Sequence, residues 1–144
     1  MSEPIERLLV EPSRQADAAV IWLHGLGADG HDFEGIVPHL GLPDGHGVRF
    51  VFPHAPVRPV TVNGGMEMRA WYDIVEMNIG IRQDEAGIRN SAGLAASLIA
   101  AESSAGISPE RIVLAGFSRG GAIALHAGLR HPERLAGIMA VSTY

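Results

Sequence analysis

The sequence contains no cysteine, which excludes disulfide bonds, thiolate metal sites and a cysteine nucleophile. It has no run of lysine and arginine, and its net charge of -5 argues against nucleic acid as the main partner. No apolar stretch approaches the roughly 18 residues that span a membrane, and the N-terminus lacks the basic and apolar regions of a secretory signal. We therefore expect a cytoplasmic protein with no nucleic-acid partner and no integral membrane association.

Glycine and apolar side chains are what the sequence has in abundance. Among 144 residues there are 18 glycines and 9 prolines, while 47% of the residues are hydrophobic and 19% are charged. This composition is typical of a globular chain with many tight turns, and the length suffices for one domain with a core. No internal repeat or linker divides the chain, so we predict a single domain over residues 1–144.

Apolar stretches of strand length alternate with stretches of helical pattern. The predicted strands cover residues 5–10, 18–23, 48–52, 111–115 and 135–142. The predicted helices run from residue 29 or 32 to about 40, from 84 to about 104, and from 121 to 127. Residues 53–84 are expected to be irregular apart from a turn at 63–65. This alternation predicts an α/β fold, a mostly parallel sheet with helices on both faces.

Residues 116–120 read Gly-Phe-Ser-Arg-Gly, a G-x-S-x-G pattern between a predicted strand and a predicted helix. A strand, a sharp turn and a helix form the context in which this pattern makes a nucleophile elbow. A serine on such a strained turn needs neighbours without side chains, so that the strand and the helix approach closely. Ser118 is therefore the candidate nucleophile for attack on an acyl carbonyl. The alternative is a glycine-rich turn in which Ser118 only caps the helix.

Residues 24–27 read His-Gly-Leu-Gly and follow a buried predicted strand. This is where serine hydrolases with an elbow place the second half of the oxyanion hole. The predicted donors are the backbone N–H groups of Leu26 and of Arg119, the residue after the nucleophile. His24 is interpreted as a residue that shapes the loop rather than as a general base. An ordinary turn between a strand and a helix is the alternative.

A catalytic triad is not visible in the residues that follow Ser118. Nucleophile, acid and histidine come in that order in this architecture, and only Glu133, His126 and His131 follow the serine. His126 lies eight residues further along the same predicted helix, about 12 Å of rise from Ser118. Neither histidine reaches the roughly 2.6–3.2 Å that a general base needs. The sequence thus shows a nucleophile without a base.

An aromatic pair, Trp71 and Tyr72, lies in the long segment predicted to be irregular. These rings either form a wall of an acyl-binding groove or pack the loop against the sheet, and the residues alone do not choose between the two. We place His24, Gly25 and Trp71 in the predicted substrate-binding surface. Asp73 follows the pair and is interpreted as bracing the loop, because its position before Ser118 does not fit the triad acid.

With these motifs placed, the chain resembles the carboxylesterase/phospholipase family that includes the acyl-protein thioesterases, and looks closest to its bacterial carboxylesterases. The matching stretches are 20–29, 50–56, 61–65, 71–73, 111–121 and 140–144. The resemblance implies an α/β-hydrolase fold with Ser118 as nucleophile, and Leu26 and Arg119 as oxyanion donors. It also implies a small-molecule or protein-bound ester or thioester with a short-to-medium acyl chain, and no cofactor or metal.

Two departures from the family pattern stand near the motifs. Arg119 replaces the usual glutamine, and Arg69-Ala70 replaces the usual Pro-Ser before the tryptophan. Family members also continue past the stretch that matches 142–144, with two more strands, the triad aspartate and the triad histidine. We therefore expect this chain to be the N-terminal two-thirds of the domain, inactive alone, with its acid and base outside it.

Three functional hypotheses follow. The first is a serine esterase or thioesterase whose missing part is supplied by a complementing C-terminal polypeptide or is lost. The second is a catalytically inactive hydrolase-like module that works by binding, in which an apolar last strand at the sheet edge invites a homodimer or a partner strand. The third is an acyltransferase on the same fold, which only a product assay separates from a hydrolase.

Overall fold

The computed structural model describes residues 4–75 and 84–143. Within them lie seven strands: β1 (Arg7–Val10), β2 (Ala18–Leu23), β3 (Val48–Pro53), β4 (Val57–Val60), β5 (Met66–Arg69), β6 (Ile112–Phe117) and β7 (Gly137–Val141). Five of them form one sheet in the order β1-β3-β2-β6-β7, in which β1 is antiparallel to β3 and the other pairs are parallel. The mostly parallel sheet predicted from the sequence is confirmed.

The central strands are those with continuous apolar runs. On β2, Ile21 and Leu23 are fully buried, and Leu114 is fully buried on the adjacent β6. Strands that are apolar on both faces need cover on both sides, which is why they occupy the middle of the sheet. Because all parallel strands end at one edge, the loops after β2 and β6 meet there.

Helix α1 (Glu85–Ser104) and helix α2 (Arg119–Arg130) pack on one face of the sheet. The Asp84 carboxylate accepts the Gly87 N–H at 3.0 Å and so caps α1, as the predicted start implied. Ala95, Leu98 and Ile99 of α1 are buried in the same core as Ile21. Near the other end of α1, the buried Glu102 carboxylate pairs with Arg49 of β3 at 2.9 Å.

The opposite face of the sheet carries Trp22, Phe50 and Phe52, and is covered by Phe33 and Val37. These two residues belong to the segment predicted as a helix from 29 or 32 to 40. The structure corrects that prediction: the segment forms two 3-10 helices, Gly30–Asp32 and Glu34–His39. Pro38 lies inside the second, and a proline has no N–H to offer to an α-helical hydrogen bond.

The prediction of an irregular segment from 53 to 84 is also wrong in part. Strands β4 and β5 pair antiparallel around the turn at 63–65, where Gly64 and Gly65 have positive φ angles of 69° and 80°. The strands are only four residues long, and Pro59 lies inside the first, which hides the hairpin from a reading of apolar runs. The remainder of that prediction, residues 76–83, lies outside the described residues.

Candidate active site

Ser118 lies between β6 and α2 with a backbone φ of 56° and ψ of -120°. A positive φ is costly for a residue with a Cβ, so the surrounding structure has to hold it. The Ser118 N–H donates to the Val141 carbonyl at 2.9 Å, and the Ser118 carbonyl accepts from Ala122 at 3.2 Å. The predicted strand, turn and helix are therefore all present, with the serine at the N-terminus of a twelve-residue helix.

The glycine after the elbow is required by close packing. A Cβ on Gly120 would overlap the carbonyl oxygens of Leu23 and His24, where α2 begins against the end of β2. This approach sets the loop after β2 beside the serine. A methyl group on Gly25 would lie 3.5 Å from Ser118 Cβ and 3.3 Å from the Phe117 ring. The structure thus brings together Ser118 and the 24–27 loop, which the sequence only suggested.

The loop turns back at Leu26. The Ala28 N–H donates to the Gly25 carbonyl at 3.3 Å, and Gly27 takes a φ of 75°, which an L side chain rarely adopts. Within the described residues, nothing accepts a hydrogen bond from the Leu26 N–H. A partly buried side chain holds Leu26 against the core. Its amide is therefore an unengaged donor beside the elbow, as an oxyanion hole requires.

His24 is 1% exposed and uses both ring nitrogens inside the protein. Nδ1 lies 2.7 Å from the Gly25 carbonyl, so it carries the proton, and Nε2 accepts the Ala55 N–H at 3.0 Å. Burial lowers the pKa of His24 below its usual range, which keeps the ring neutral at pH 7. These bonds support the interpretation of His24 as a residue that shapes the loop.

Trp71 lies behind the same loop. It is 1% exposed, its Nε1 donates to the His24 carbonyl at 2.8 Å, and the Ser91 hydroxyl of α1 donates to the Trp71 carbonyl. The Trp71 and His24 rings lie 5.1 Å apart. Both side chains are buried beneath the surface, so direct contact of His24 or Trp71 with a substrate stays a prediction, while their contact with the loop is observed.

The side chain of Arg119 points away from solvent, with 8% exposed, and its guanidinium carbon lies 6.0 Å from the centroid of the Tyr72 ring. Burial raises the pKa of Tyr72, and the charge of Arg119 opposes part of that rise. Asp73, the next residue, accepts the Thr61 N–H at 2.8 Å and the Thr61 hydroxyl at 2.5 Å. Its role in bracing the loop is thus visible as bonds between two segments.

The Ser118 hydroxyl has no histidine beside it among the described residues. In the part of the chain that the structure describes, Ser118 Oγ makes no hydrogen bond to a histidine or to any other group. His126 lies in a groove between α1 and α2 beside Ala92 and Arg130. The His131 ring accepts the nearby Glu133 N–H at 3.2 Å. Neither histidine contacts the elbow, which agrees with the spacing argument.

Across residues 4–75 and 84–143, no three His, Asp or Glu side chains converge as metal ligands. None of the helices among these residues has the length and apolar character to cross a membrane.

The sequence marked Arg69 only as a departure from the family pattern and did not single out Ala55 or Ser91, although each of the three is bonded to the loop or to Trp71. Ala55 lies just before the β4–β5 hairpin, and Arg69 is the last residue of β5. The Gly-Gly turn between two four-residue stretches was the sequence signal that could have revealed this hairpin. Ser91 carries no signal in one sequence, since a serine inside a helix is usually a solvated surface residue.

Comparison with known proteins places these features in a family. The model of the phospholipase/carboxylesterase family matches residues 6–144. Acyl-protein thioesterase 1 of Schizosaccharomyces pombe is 43% identical over 144 residues, which cover 100% of this chain and 63% of that protein. The chain thus spans less than two thirds of the length of this curated relative.

Solved structures show the same fold. The crystal structure of SOBER1 from Arabidopsis thaliana superposes with a TM-score of 0.83 at 32% identity, over 88% of this chain and 61% of that one. A phospholipase/carboxylesterase from Dyadobacter fermentans superposes with a TM-score of 0.70 at 23% identity, over 99% of this chain and 62% of that one. The predicted α/β-hydrolase fold is confirmed, and the chain belongs to the phospholipase/carboxylesterase family.

Proposed function

We propose that this chain carries the nucleophile and the oxyanion hole of a serine hydrolase that cleaves carboxylic esters or thioesters. The observation that carries the proposal is the juxtaposition at the elbow: Ser118 held at a φ of 56° at the start of α2, beside the unengaged amide of Leu26. Such backbone strain is retained where the surroundings enforce it, and it clusters at catalytic positions. The relatives' names, acyl-protein thioesterase and carboxylesterase, fit this chemistry.

In the proposed reaction, Ser118 Oγ attacks the acyl carbonyl carbon and gives its proton to a histidine base. The developing oxyanion is stabilised by the N–H groups of Leu26 and Arg119, the latter at the positive end of the α2 dipole. The C–O or C–S bond to the leaving group then breaks as that group takes the proton from the histidine. Water next attacks the acyl-enzyme carbonyl and gives a proton to the same histidine, and the bond from the acyl carbon to Ser118 Oγ breaks as Oγ takes that proton, which releases the acid. We propose that the histidine and its aspartate lie outside residues 1–144, on a further segment or a complementing polypeptide.

The proposed substrates are small-molecule esters or acylated proteins with short-to-medium acyl chains, handled by a single domain in the cytoplasm without a cofactor. The support for the acyl class is the combination of a proposed serine nucleophile with apolar side chains nearby, since Leu26 of the loop is partly buried against the core and the Met68 sulfur lies beside Gly27. The length of acyl chain is set by groups around the serine, and Trp71 is proposed to shape that space from beneath.

The test is covalent labelling of the full protein with a fluorophosphonate. We expect one phosphonyl group per chain, mapped to Ser118, and its loss in Ser118→Ala. Ser97→Ala is the matched control, because Ser97 lies on the exposed side of α1 and bonds only the Gly93 carbonyl at 3.1 Å. The proposal is wrong if Ser118→Ala hydrolyses esters as fast as the parent protein, or if the reagent leaves Ser118 unmodified.

A second candidate is a binding module without catalysis. It is favoured by the absence of any polar partner for Ser118 Oγ among the described residues and by the exposed apolar side chains of Met139 and Val141 on β7. A homodimer or a partner strand on that edge would cover them. Failure to label Ser118 together with a dimer in sedimentation analysis would favour this candidate over the hydrolase.

A further inference from the structure

We propose that Arg69, which the sequence marked only as a departure from the family pattern, is a positioning residue that aims the Leu26 amide at the reacting oxygen. The inference rests on the proposed function and adds a residue to it. Arg69 is the last residue of β5, and its Nη1 donates to the Ala55 carbonyl at 2.8 Å while its own carbonyl accepts the Gly27 N–H at 2.9 Å. Arg69 therefore bonds the loop directly at Gly27, and it also bonds Ala55, whose N–H holds the His24 ring.

These two bonds close a ring of hydrogen bonds around Leu26. From Arg69 the ring passes to Ala55, whose N–H donates to His24 Nε2 at 3.0 Å. From His24 it passes through Nδ1 to the Gly25 carbonyl at 2.7 Å, and the backbone from 25 to 27 closes it. The ring holds the Gly25 carbonyl, which shares a peptide plane with the Leu26 N–H, and it holds the Gly27 N–H on the other side, while within the described residues the Leu26 N–H itself has no acceptor.

The loop needs this external support because it has no ladder of its own. Residues 24–29 lie outside every described strand and helix, and the only backbone–backbone bond between two of them is the 3.3 Å contact from the Ala28 N–H to the Gly25 carbonyl. Catalytic groups have to be held within roughly 0.5 Å of their productive geometry, and a displacement of roughly 1 Å can cost about 10²-fold in rate. A support that sets the orientation of the Gly25–Gly27 turn therefore acts on the rate through Leu26.

An arginine suits the position because its planar group reaches a carbonyl across the hairpin base with several donors on one rigid fork. The hairpin holds the backbone of Arg69 in place, since Arg69 is paired with Val57 and the Ala70 N–H donates to the Pro56 carbonyl at 3.1 Å. The ring thus connects the oxyanion loop to β4 and β5, which makes the hairpin a part of the site although it offers no reacting group.

The test compares Arg69→Met, which keeps the apolar stem, with Arg69→Lys, which keeps a donor, in the full chain. Arg89→Met is the matched control, because that arginine is exposed on α1 and pairs only with Glu85 at 3.5 Å. The first readout is amide hydrogen exchange. We expect Gly27 and Ala55 to exchange at least about tenfold faster in Arg69→Met, with partial recovery in Arg69→Lys, and no change at Leu114 in β6.

The second readout is the rate of Ser118 phosphonylation, and kcat against KM for an ester. We expect both the labelling rate and kcat to fall about tenfold in Arg69→Met with KM unchanged, less than the 10²–10³-fold that loss of a whole oxyanion donor costs. A merely structural arginine would instead raise exchange at Leu114 as much as at Gly27. That result, unchanged exchange at Gly27, or a loosened loop with an unchanged labelling rate would each overturn the proposal.

The two proposals fail in different ways. If Ser118 of the parent protein does not react at all, the hydrolase function is wrong, and with it the claim that Arg69 aims a catalytic donor. If Ser118 reacts and Arg69→Met leaves its rate unchanged, only the role of Arg69 is wrong.

Discussion

The two sides of Ser118 are built differently. On the side of the 24–27 loop, the buried polar groups of His24, Trp71 and Ser91 each bond the backbone of another segment. On the side of β7, the side chains of Met139 and Val141 are 39% and 36% exposed, and β7 pairs only with β6 among the described strands. The half that carries the proposed oxyanion donors is held in shape by hydrogen bonds, whereas the half toward β7 bonds only the Ser118 N–H, through the Val141 carbonyl, and within the described residues gives the Ser118 hydroxyl no partner.

The difference teaches where preorganisation resides in this chain. Buried polar groups are costly unless bonded, so a network in which each group is bonded specifies one arrangement of the loop. An exposed apolar strand at the edge of a sheet has no such network and does not select one arrangement of the chain beside it. Substitutions on the loop side should therefore have large and specific effects, and those on the β7 side small ones.

The largest effect is expected at the contact between α2 and β2. Gly120→Ala would push a methyl group into the carbonyls of Leu23 and His24, and we expect a loss of about 3 kcal/mol or more in the free energy of unfolding. Gly93→Ala is the matched control, a helical glycine whose added Cβ meets nothing within 4 Å. It should gain about 0.5–1 kcal/mol instead. Urea unfolding measures both changes. If the free energy of unfolding changes with the same sign in the two variants, the close contact at Gly120 is not what distinguishes them.

Two tryptophans allow the value of the network to be measured. Trp71→Phe removes the donor to the His24 carbonyl and should cost about 1–2 kcal/mol beyond the loss of ring area. Trp22→Phe is its control, because Trp22 Nε1 is buried and has no partner within the described residues. Chemical denaturation gives the free energy of unfolding of each variant. If Trp22→Phe is as unstable as Trp71→Phe, the hydrogen bond to the His24 carbonyl does not account for the loss.

The pH dependence of stability should carry the signature of His24. Burial holds the pKa of His24 below the roughly 6.5 of an unfolded histidine, so the unfolded chain binds the proton first. The contribution is therefore fully present above about pH 6.5 and is lost as the pH falls through the lowered pKa of the folded state. His31 acts in the opposite direction, because its bond with Glu34 raises its pKa.

The measurement is the free energy of unfolding of the parent and of His24→Asn between about pH 7.5 and 5. Subtracting the two series removes the contribution of His31, and we expect a shallower acid slope in the variant. Parallel curves for the parent and His24→Asn would show that His24 does not titrate differently in the two states.

The smallest effect is expected on β7. Met139→Gln should change the free energy of unfolding by no more than about 0.5 kcal/mol, because its side chain is already in contact with water. Ile138→Gln, one residue earlier, packs toward Gly128 of α2 and should cost about 2 kcal/mol. If Met139→Gln proves as costly as Ile138→Gln, the side of β7 is covered in solution and the contrast between the two regions is smaller than described.

The sequence predicted the fold well where a local pattern decides it. The strands β2 and β3 and the start of α1 lie within a residue of the predicted positions, because continuous apolar runs and a helical pattern leave a direct mark in the sequence. The elbow strand and helix were also predicted but extend further, to Phe117 and Arg130.

The bonds of the loop were beyond prediction. That Ala55 and Arg69 meet His24 and Gly27 depends on the path of the β4–β5 hairpin, and contacts between distant segments leave no trace in one sequence. The 3-10 segment from 30 to 39 was missed for another reason. Asp29 at its start would cap an α-helix or a 3-10 helix equally, so the cap does not tell the two apart. Pro38, which disfavours an α-helix, lies near the end of the segment and not at its start.

The backbone angle of Ser118 sets stability and chemistry against each other at one residue. Glycine accepts a φ of 56° without the cost that a Cβ brings, so Ser118→Gly would relax the turn while it removes the proposed nucleophile. Selection for stability alone would therefore favour glycine at this position, whereas selection for the proposed catalysis would retain serine. The most stable residue for the elbow and the residue that the proposed reaction needs are thus different ones.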